Sequence, residues 1–211
     1  MKGIIFDLDG VLVHTDEYHY QAWKALADRL GIYFDPVINH RLRGVSRMDS
    51  LDIVLERWQG RPFSQEEKEK LAREKNTAYR KLLQQMTPQS VTPEVRDTLT
   101  ELRRRGYDLA VGSSSKNTKS ILAYTQLSGL FQAVSDGTNI TRSKPDPEVF
   151  LKAAEWLGLP PRECAVVEDA SSGIQAAKAA GMLAIGLGEA AGYEQTDRPI
   201  SQFQDLLTLF P

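Results

Sequence analysis

The chain has 211 residues, 41% of them hydrophobic and 26% charged, which is the composition of a folded domain with room for an appendage and excludes a disordered chain. With 26 Lys plus Arg against 28 Asp plus Glu, the net charge of -2 gives no footprint for nucleic acid or an anionic membrane. The single cysteine, Cys164, excludes an internal disulfide and a Cys-built metal site. No apolar run approaches the roughly 18 residues of a spanning helix, and Asp7 cuts off the N-terminal apolar stretch before it could act as a signal peptide. A soluble, cytoplasmic, monomeric protein is expected.

The chain opens on Lys2-Gly3-Ile4-Ile5-Phe6, a short apolar run suited to a strand buried on both faces. Residues 15–87 then carry helical patterns only. Glu17–Leu30 has Trp23, Leu26 and Leu30 at helical spacing and stops at Gly31. Ser46-x-x-Asp49 and Ser64-x-x-Glu67 open two further helices by capping-box spacing, and Thr87-Pro88 closes the stretch. Four more strand-like runs follow, Tyr107–Gly112, Phe131–Ser135, Cys164–Val167 and Met182–Leu187. Helical patterns at Pro93–Arg105, Pro147–Leu157 and Ser172–Ala180 lie among them, each ending at a glycine. This alternation predicts an α/β fold with a doubly wound parallel sheet. Residues 1–14 and 88–211 would form the core, with 15–87 inserted as an all-helical domain.

Open parallel sheets bind ligands at the carboxyl ends of their strands, so the polar residues there carry the chemistry. The first strand ends in Asp7-Leu8-Asp9-Gly10, another in Ser113-Ser114-Ser115-Lys116-Asn117, and a third in Glu168-Asp169. Lys144 precedes Pro145, with Asp146 as a candidate cap and Pro147 as the first helical residue. Clustered carboxylates raise one another's pKa unless a cation neutralises them, and Mg²⁺ takes such hard oxygen ligands while leaving room for phosphate. A carboxylate can also act as nucleophile, a neighbouring one can move protons, and a lysine can offset charge that develops in transfer. Singly, each residue reads as a turn, a cap or surface charge. Together they point to metal-assisted phosphoryl transfer.

The four segments Phe6-Asp7-Leu8-Asp9-Gly10-Val11, Ser113, Ser143-Lys144-Pro145-Asp146-Pro147 and Val167-Glu168-Asp169 resemble the four motifs of haloacid dehalogenase-like phosphotransferases. The resemblance spans nearly the whole chain and implies a Rossmann-like core with a helical cap. Within the insertion, Glu17–Trp23, Arg43-Gly44-Val45-Ser46-Arg47 and Lys75-Asn76 resemble a sugar-phosphate mutase branch, as do Ser113–Asn117. That branch implies conversion of β-glucose 1-phosphate to glucose 6-phosphate through a bisphosphate. Asp7 would be phosphorylated and Asp9 would serve as acid and base, with Thr15 and His19 assisting it. Ser113 and Lys144 would act on the transferring phosphate. Mg²⁺ would sit among Asp7, the Asp9 carbonyl, Glu168 and Asp169. Arg43, Gly44, Val45, Ser46, Arg47, Lys75, Ser114, Ser115, Lys116 and Asn117 would bind substrate, with Arg47, Ser115, Lys116 and Asn117 holding the phosphate not being transferred. Two departures stand out: His14 where many relatives carry Asp, and Arg43 where Lys is usual.

Three residues of the insertion also bear weight by pattern. Arg47 is a cation at the first position of its helix, where the macrodipole disfavours it and a bound anion would repair the conflict; an Arg pointing into solvent is the alternative. Lys75 lies on the stripe of Leu71, Tyr79, Leu82 and Leu83, where snorkelling is the simpler reading. His19 shares a face with Trp23, Leu26 and Leu30, as a packed interior histidine also would. Against a mutase stand a phosphatase of the same superfamily, which needs one phosphate site only, and a non-catalytic phospho-receiver, against which the large insertion argues.

Overall fold

A computed structural model describes residues 1–42 and 45–211. The described residues fall into two compact units, Met1–His14 with Met86–Pro211, and Thr15–Gln85. In chain order the first unit begins with β1 (Gly3–Phe6), and the second holds α1 (Asp16–Leu30), α2 (Pro36–His40), α3 (Arg47–Leu55) and α4 (Gln65–Leu83). The first unit resumes with α5 (Pro93–Arg104), β2 (Asp108–Gly112), α6 (Thr118–Tyr124), β3 (Ala133–Ser135) and α7 (Glu148–Leu157). It ends with β4 (Cys164–Glu168), α8 (Ser171–Ala179), β5 (Leu183–Gly186), β6 (Arg198–Pro199) and α9 (Leu206–Leu209).

The six strands form one parallel sheet in the order β3-β2-β1-β4-β5-β6, the doubly wound architecture expected. Side chains alternate across a strand, and both faces here are covered. Ile5, Ala110, Val166 and Ala184 pack with Val149, Phe150 and Ala153 of α7 and Ile174 and Ala177 of α8. On the other face the Phe6 ring lies 5.7 Å from that of Phe203 and 6.2 Å from that of Phe131. Ile4, Ile5 and Phe6 are fully buried, so a single polar replacement there would leave an unpaired group in the core.

Register aligns the functional edge. Phe6 pairs with Val111 on one side and Val167 on the other, which brings Asp7, Gly112 and Glu168 level at the strand ends. The Asp7 N–H donates to the Val167 carbonyl at 3.0 Å.

Four details differ from the sequence reading. β6 is a sixth, two-residue edge strand whose proline suits an edge with no further neighbour to bond. α2 and α6 are short helices without a legible period. α7 starts at Glu148, with Pro147 in the flanking position; the Asp146 carboxylate still accepts the Glu148 N–H at 3.0 Å.

The second unit has its own core, with Trp23, Leu26 and Ala27 of α1, Leu51 and Val54 of α3, and Leu71 and Ala72 of α4. α1 ends where Gly31 turns left-handed at φ 69°, a conformation that costs a side-chain-bearing residue more. α4 opens with a complete capping box: the Glu67 N–H donates to the Ser64 hydroxyl and the Ser64 N–H to the Glu67 carboxylate. No helix among the described residues is long and apolar enough to cross a membrane.

Candidate active site

Asp7 leaves β1 as the sheet ends, and the chain then makes a tight return in which the Leu12 and Val13 N–H groups donate to the Leu8 carbonyl. Gly10 allows this turn: its φ is +85°, and a Cβ there would collide with the Asp169 carboxylate. Asp9 stays partly exposed in the same turn, while Asp7 is buried. From β4 come Glu168, buried, and Asp169, partly exposed. Gly173 of α8 gives Glu168 its space, since a Cβ there would strike the carboxylate. Oxygens of Asp7, Glu168 and Asp169 lie within 4.8 Å of one another.

Lys144 completes the group. Its buried ammonium donates to Asp7 Oδ1 at 2.5 Å and to Glu168 Oε1, and lies 4.7 Å from the centre of the Phe150 ring. Burial pulls this ammonium down, but the charges of Asp7 and Glu168 outweigh it and hold the lysine above its ordinary value. Glu168 is raised, first by burial and then by Asp7, against the opposing pull of Lys144. Asp169 is pushed up to about 8, chiefly by burial and then by the Asp7 and Glu168 charges. One lysine thus faces three carboxylates. The imbalance is what a divalent cation would relieve.

The Ser113–Asn117 segment leaves β2 on the same edge. Ser113, buried, donates its N–H to the Ser135 carbonyl at 3.1 Å and accepts the Ser115 N–H on its hydroxyl at 3.1 Å. The Ser115 hydroxyl accepts the Asn117 N–H at 3.2 Å, just before α6. Lys116 is exposed, Asn117 buried, and the buried Ser114 hydroxyl has no hydrogen-bond partner among the described residues. The segment is therefore a self-bonded loop with hydroxyls and a lysine at the sheet edge.

The second unit gathers a different set. Ser46 caps α3, its hydroxyl accepting the Asp49 N–H at 3.2 Å, which puts Arg47 at the first helical position as expected. The Arg47 guanidinium is drawn below its ordinary value by burial, and no carboxylate among the described residues offsets this. Lys75, 3% exposed, is no snorkelling side chain. Its ammonium lies 4.6 Å from the centres of both the Trp23 and Tyr79 rings and 2.9 Å from His19 Nδ1. The His19 ring lies against that of Tyr79, the centres 4.1 Å apart and the planes tilted by 33°. Burial, then Lys75, then Arg47 hold its pKa well below the usual value. Thr15, buried, accepts the His19 N–H on its carbonyl, and Val45 is exposed. Arg43 and Gly44 lie outside the described residues.

The core edge thus brings together Asp7, Glu168, Asp169 and Lys144, while Arg47, Lys75 and His19 group separately in the second unit. The sequence reading did not single out Asp136, a fully buried carboxylate directly after β3 on the functional edge. Its signal was available: an acid one residue beyond a predicted strand.

The profile of the haloacid dehalogenase-like hydrolase family matches residues 1–181. A Bacillus subtilis protein named β-phosphoglucomutase is 39% identical over 207 residues, 98% of this chain and 92% of its own. A fructose-1-phosphate phosphatase of Escherichia coli is 33% identical over 183 residues, 87% of this chain and 94% of its own. The crystal structure of a β-phosphoglucomutase from Clostridium difficile is similar with a TM-score of 0.89 at 35% identity, over 98% of this chain and 93% of that one.

Proposed function

The chain belongs to the haloacid dehalogenase-like hydrolase family, and from that premise we propose that it is a sugar-phosphate mutase interconverting β-glucose 1-phosphate and glucose 6-phosphate. The observation that carries this reading is the 39% identity to a relative named β-phosphoglucomutase over 98% of the chain, insertion included. The reading takes the protein as a cytoplasmic monomer acting on a small sugar phosphate, with no nucleic-acid or membrane partner.

The donor set fits Mg²⁺, for Asp7, Glu168 and Asp169 offer only hard oxygens within 4.8 Å of one another; the Asp9 carbonyl would be the further donor of this reading. Bound there, the ion supplies neutralisation of the charge on a transferring phosphoryl group. The Asp7 carboxylate attacks phosphorus and becomes an aspartyl-phosphate. Asp9 protonates the leaving oxygen and later takes the proton from the attacking sugar hydroxyl. Lys144 keeps Asp7 oriented and offsets the added negative charge, and Ser113 donates to a phosphoryl oxygen. The phosphoenzyme gives its phosphate to the 6-hydroxyl of β-glucose 1-phosphate. The bisphosphate turns round, and Asp7 takes the 1-phosphate to leave glucose 6-phosphate. Arg47, Ser115, Lys116 and Asn117 would hold the phosphate not being transferred, and Arg43, Gly44, Val45, Ser46 and Ser114 would contribute to substrate binding. Lys75 binds substrate, and Thr15 and His19 assist Asp9.

The second reading is a sugar-phosphate phosphatase, favoured by the E. coli relative at 33% identity. One assay separates the two. With β-glucose 1-phosphate, Mg²⁺ and a trace of glucose 1,6-bisphosphate, a mutase releases glucose 6-phosphate and almost no inorganic phosphate. Release of phosphate in step with sugar consumption would give the phosphatase.

A further inference from the structure

We propose that the turn Asp136–Asn139, closed by the buried carboxylate of Asp136, positions Ser115 and Lys116 for the second phosphate, an inference that rests on the two-phosphate reading above. Asp136 is 0% exposed. Its Oδ1 accepts the Thr138 N–H at 2.8 Å, the Thr138 hydroxyl at 2.5 Å and the Asn139 side-chain amide at 3.3 Å. Asn139 answers through Oδ1, which accepts the Asp136 N–H and the Ser135 hydroxyl, both at 3.2 Å. The turn is thereby held from both ends. A buried carboxylate that only capped a turn would explain this much.

What leans on the turn goes further. The Gly137 N–H donates to the Ser115 carbonyl at 3.1 Å, and that carbonyl also accepts the Thr118 hydroxyl at 2.9 Å. Gly137 is also a close approach: a Cβ there would run into the Ser114 carbonyl and lie 3.0 Å from the Lys116 nitrogen and 2.9 Å from its Cγ. Its φ is not in the left-handed region, so space rather than conformation requires the glycine. Ser113 has a separate anchor, its N–H bonded to the Ser135 carbonyl as the sheet ladder runs out. Apart from the bond of the Ser115 N–H to the Ser113 hydroxyl, the two ends of the loop lean on different supports. The residue assigned to the transferring phosphate is held by β3, and those assigned to the other phosphate by the Asp136 turn.

This division makes the turn a positioning element with its own kinetic signature. The Asp136 Oδ2 atom accepts no hydrogen bond among the described residues, so the working atom is the acceptor Oδ1, which an amide reproduces. In the full-length protein with Mg²⁺, acetyl phosphate serves as a one-phosphate donor and fructose 1,6-bisphosphate as a competing two-phosphate probe. Asp136→Ala and Gly137→Ala are expected to weaken competition by the bisphosphate about 10- to 100-fold while acetyl phosphate hydrolysis stays within about twofold. Asp136→Asn is expected to behave like the wild type. In Asp136→Ala, the Gly137 amide should exchange its hydrogen about tenfold faster, with β1 amides unchanged, which separates local release of the turn from a general loss of fold.

Unchanged competition in both alanine variants, an equal loss of both readouts, or an Asp136→Asn variant as damaged as Asp136→Ala would each overturn the inference. Failure of the underlying reading shows elsewhere. There the wild type itself would bind the bisphosphate no better than glucose 6-phosphate, and the positioning role would fall with it.

Discussion

Lys144 shares one proton-rich group between two buried acids, bonding Asp7 at 2.5 Å and Glu168 on its other side. Removing one partner of a buried ion pair leaves charge without compensation, at a cost of about 3–5 kcal/mol. Lys144→Ala should therefore lower the stability of the metal-free protein by that order in urea titrations, and Lys144→Met, which keeps much of the volume, should recover little of it. Excess Mg²⁺ should restore part of the loss in both variants. A metal-free cost below about 1 kcal/mol would mean that the acids simply take up protons when the lysine goes. Asp7→Asn keeps an oxygen for Lys144 and nearly the same shape, so it should fold normally yet form no phosphoenzyme from labelled acetyl phosphate. Label trapped in that variant would move the nucleophile to another residue. Asp9→Asn keeps its backbone carbonyl and should slow transfer by about 10² to 10⁴, the usual cost of a lost general acid or base.

At the scale of elements, α3 shows a conflict with a measurable consequence. Arg47 is partly buried at the first helical position, where burial lowers its basicity and the helix dipole opposes its charge. If it is there to hold phosphate, Arg47→Ala should do two opposite things. It should cripple glucose 6-phosphate formation while sparing acetyl phosphate hydrolysis, and it should raise the stability of the helix by about 0.3–1 kcal/mol. Loss of activity together with lower stability would instead give Arg47 a packing role. The same scale explains what the sequence made legible. β1 to β5 announce themselves because both faces of the sheet are covered, so each is a largely apolar run, and β1, β2 and β4 run directly into candidate site residues. The Asp7, Ser113 and Glu168 positions were readable for that reason. β6 was not, being Arg198-Pro199 with both residues exposed, and α2 has only five residues behind its Asp35 cap. Asp136 could have been found by the same rule, for its partners Thr138 and Asn139 are local, whereas the aromatic box around Lys75 depends on contacts between distant segments. Lys75 and His19 are 56 positions apart, a pairing that no local period reveals.

Across the whole molecule, the two units should differ in their response to acid, because His19 belongs to the helical one alone. Lys75 Nζ is a donor only, so at 2.9 Å His19 Nδ1 must be the acceptor and the ring neutral, with its proton on Nε2. Protonation would place an N–H against the ammonium in a buried site, with Arg47 of α3 adding to the repulsion. The folded state therefore refuses a proton that the unfolded chain accepts near pH 6.5. Stability of this unit is complete above about pH 6.5 and declines as the pH falls toward the lowered folded value, by about 1.4 kcal/mol for each unit between the two. Asp169, pushed up to about 8, belongs to the sheet unit, and the shifted carboxylates of the helical unit lie below this window. Glu67, held at about 2 mainly by the Arg61 side chain, and Glu56 and Asp35, both below their ordinary value, begin to matter only in stronger acid. Trp23 and Trp58 report on the helical unit and Trp156 on the sheet unit. Urea titrations of a Trp156→Phe variant, followed by fluorescence, should show the midpoint falling between pH 7 and 5. Adding His19→Gln should flatten that slope, and a slope that survives the second substitution would remove His19 as its source.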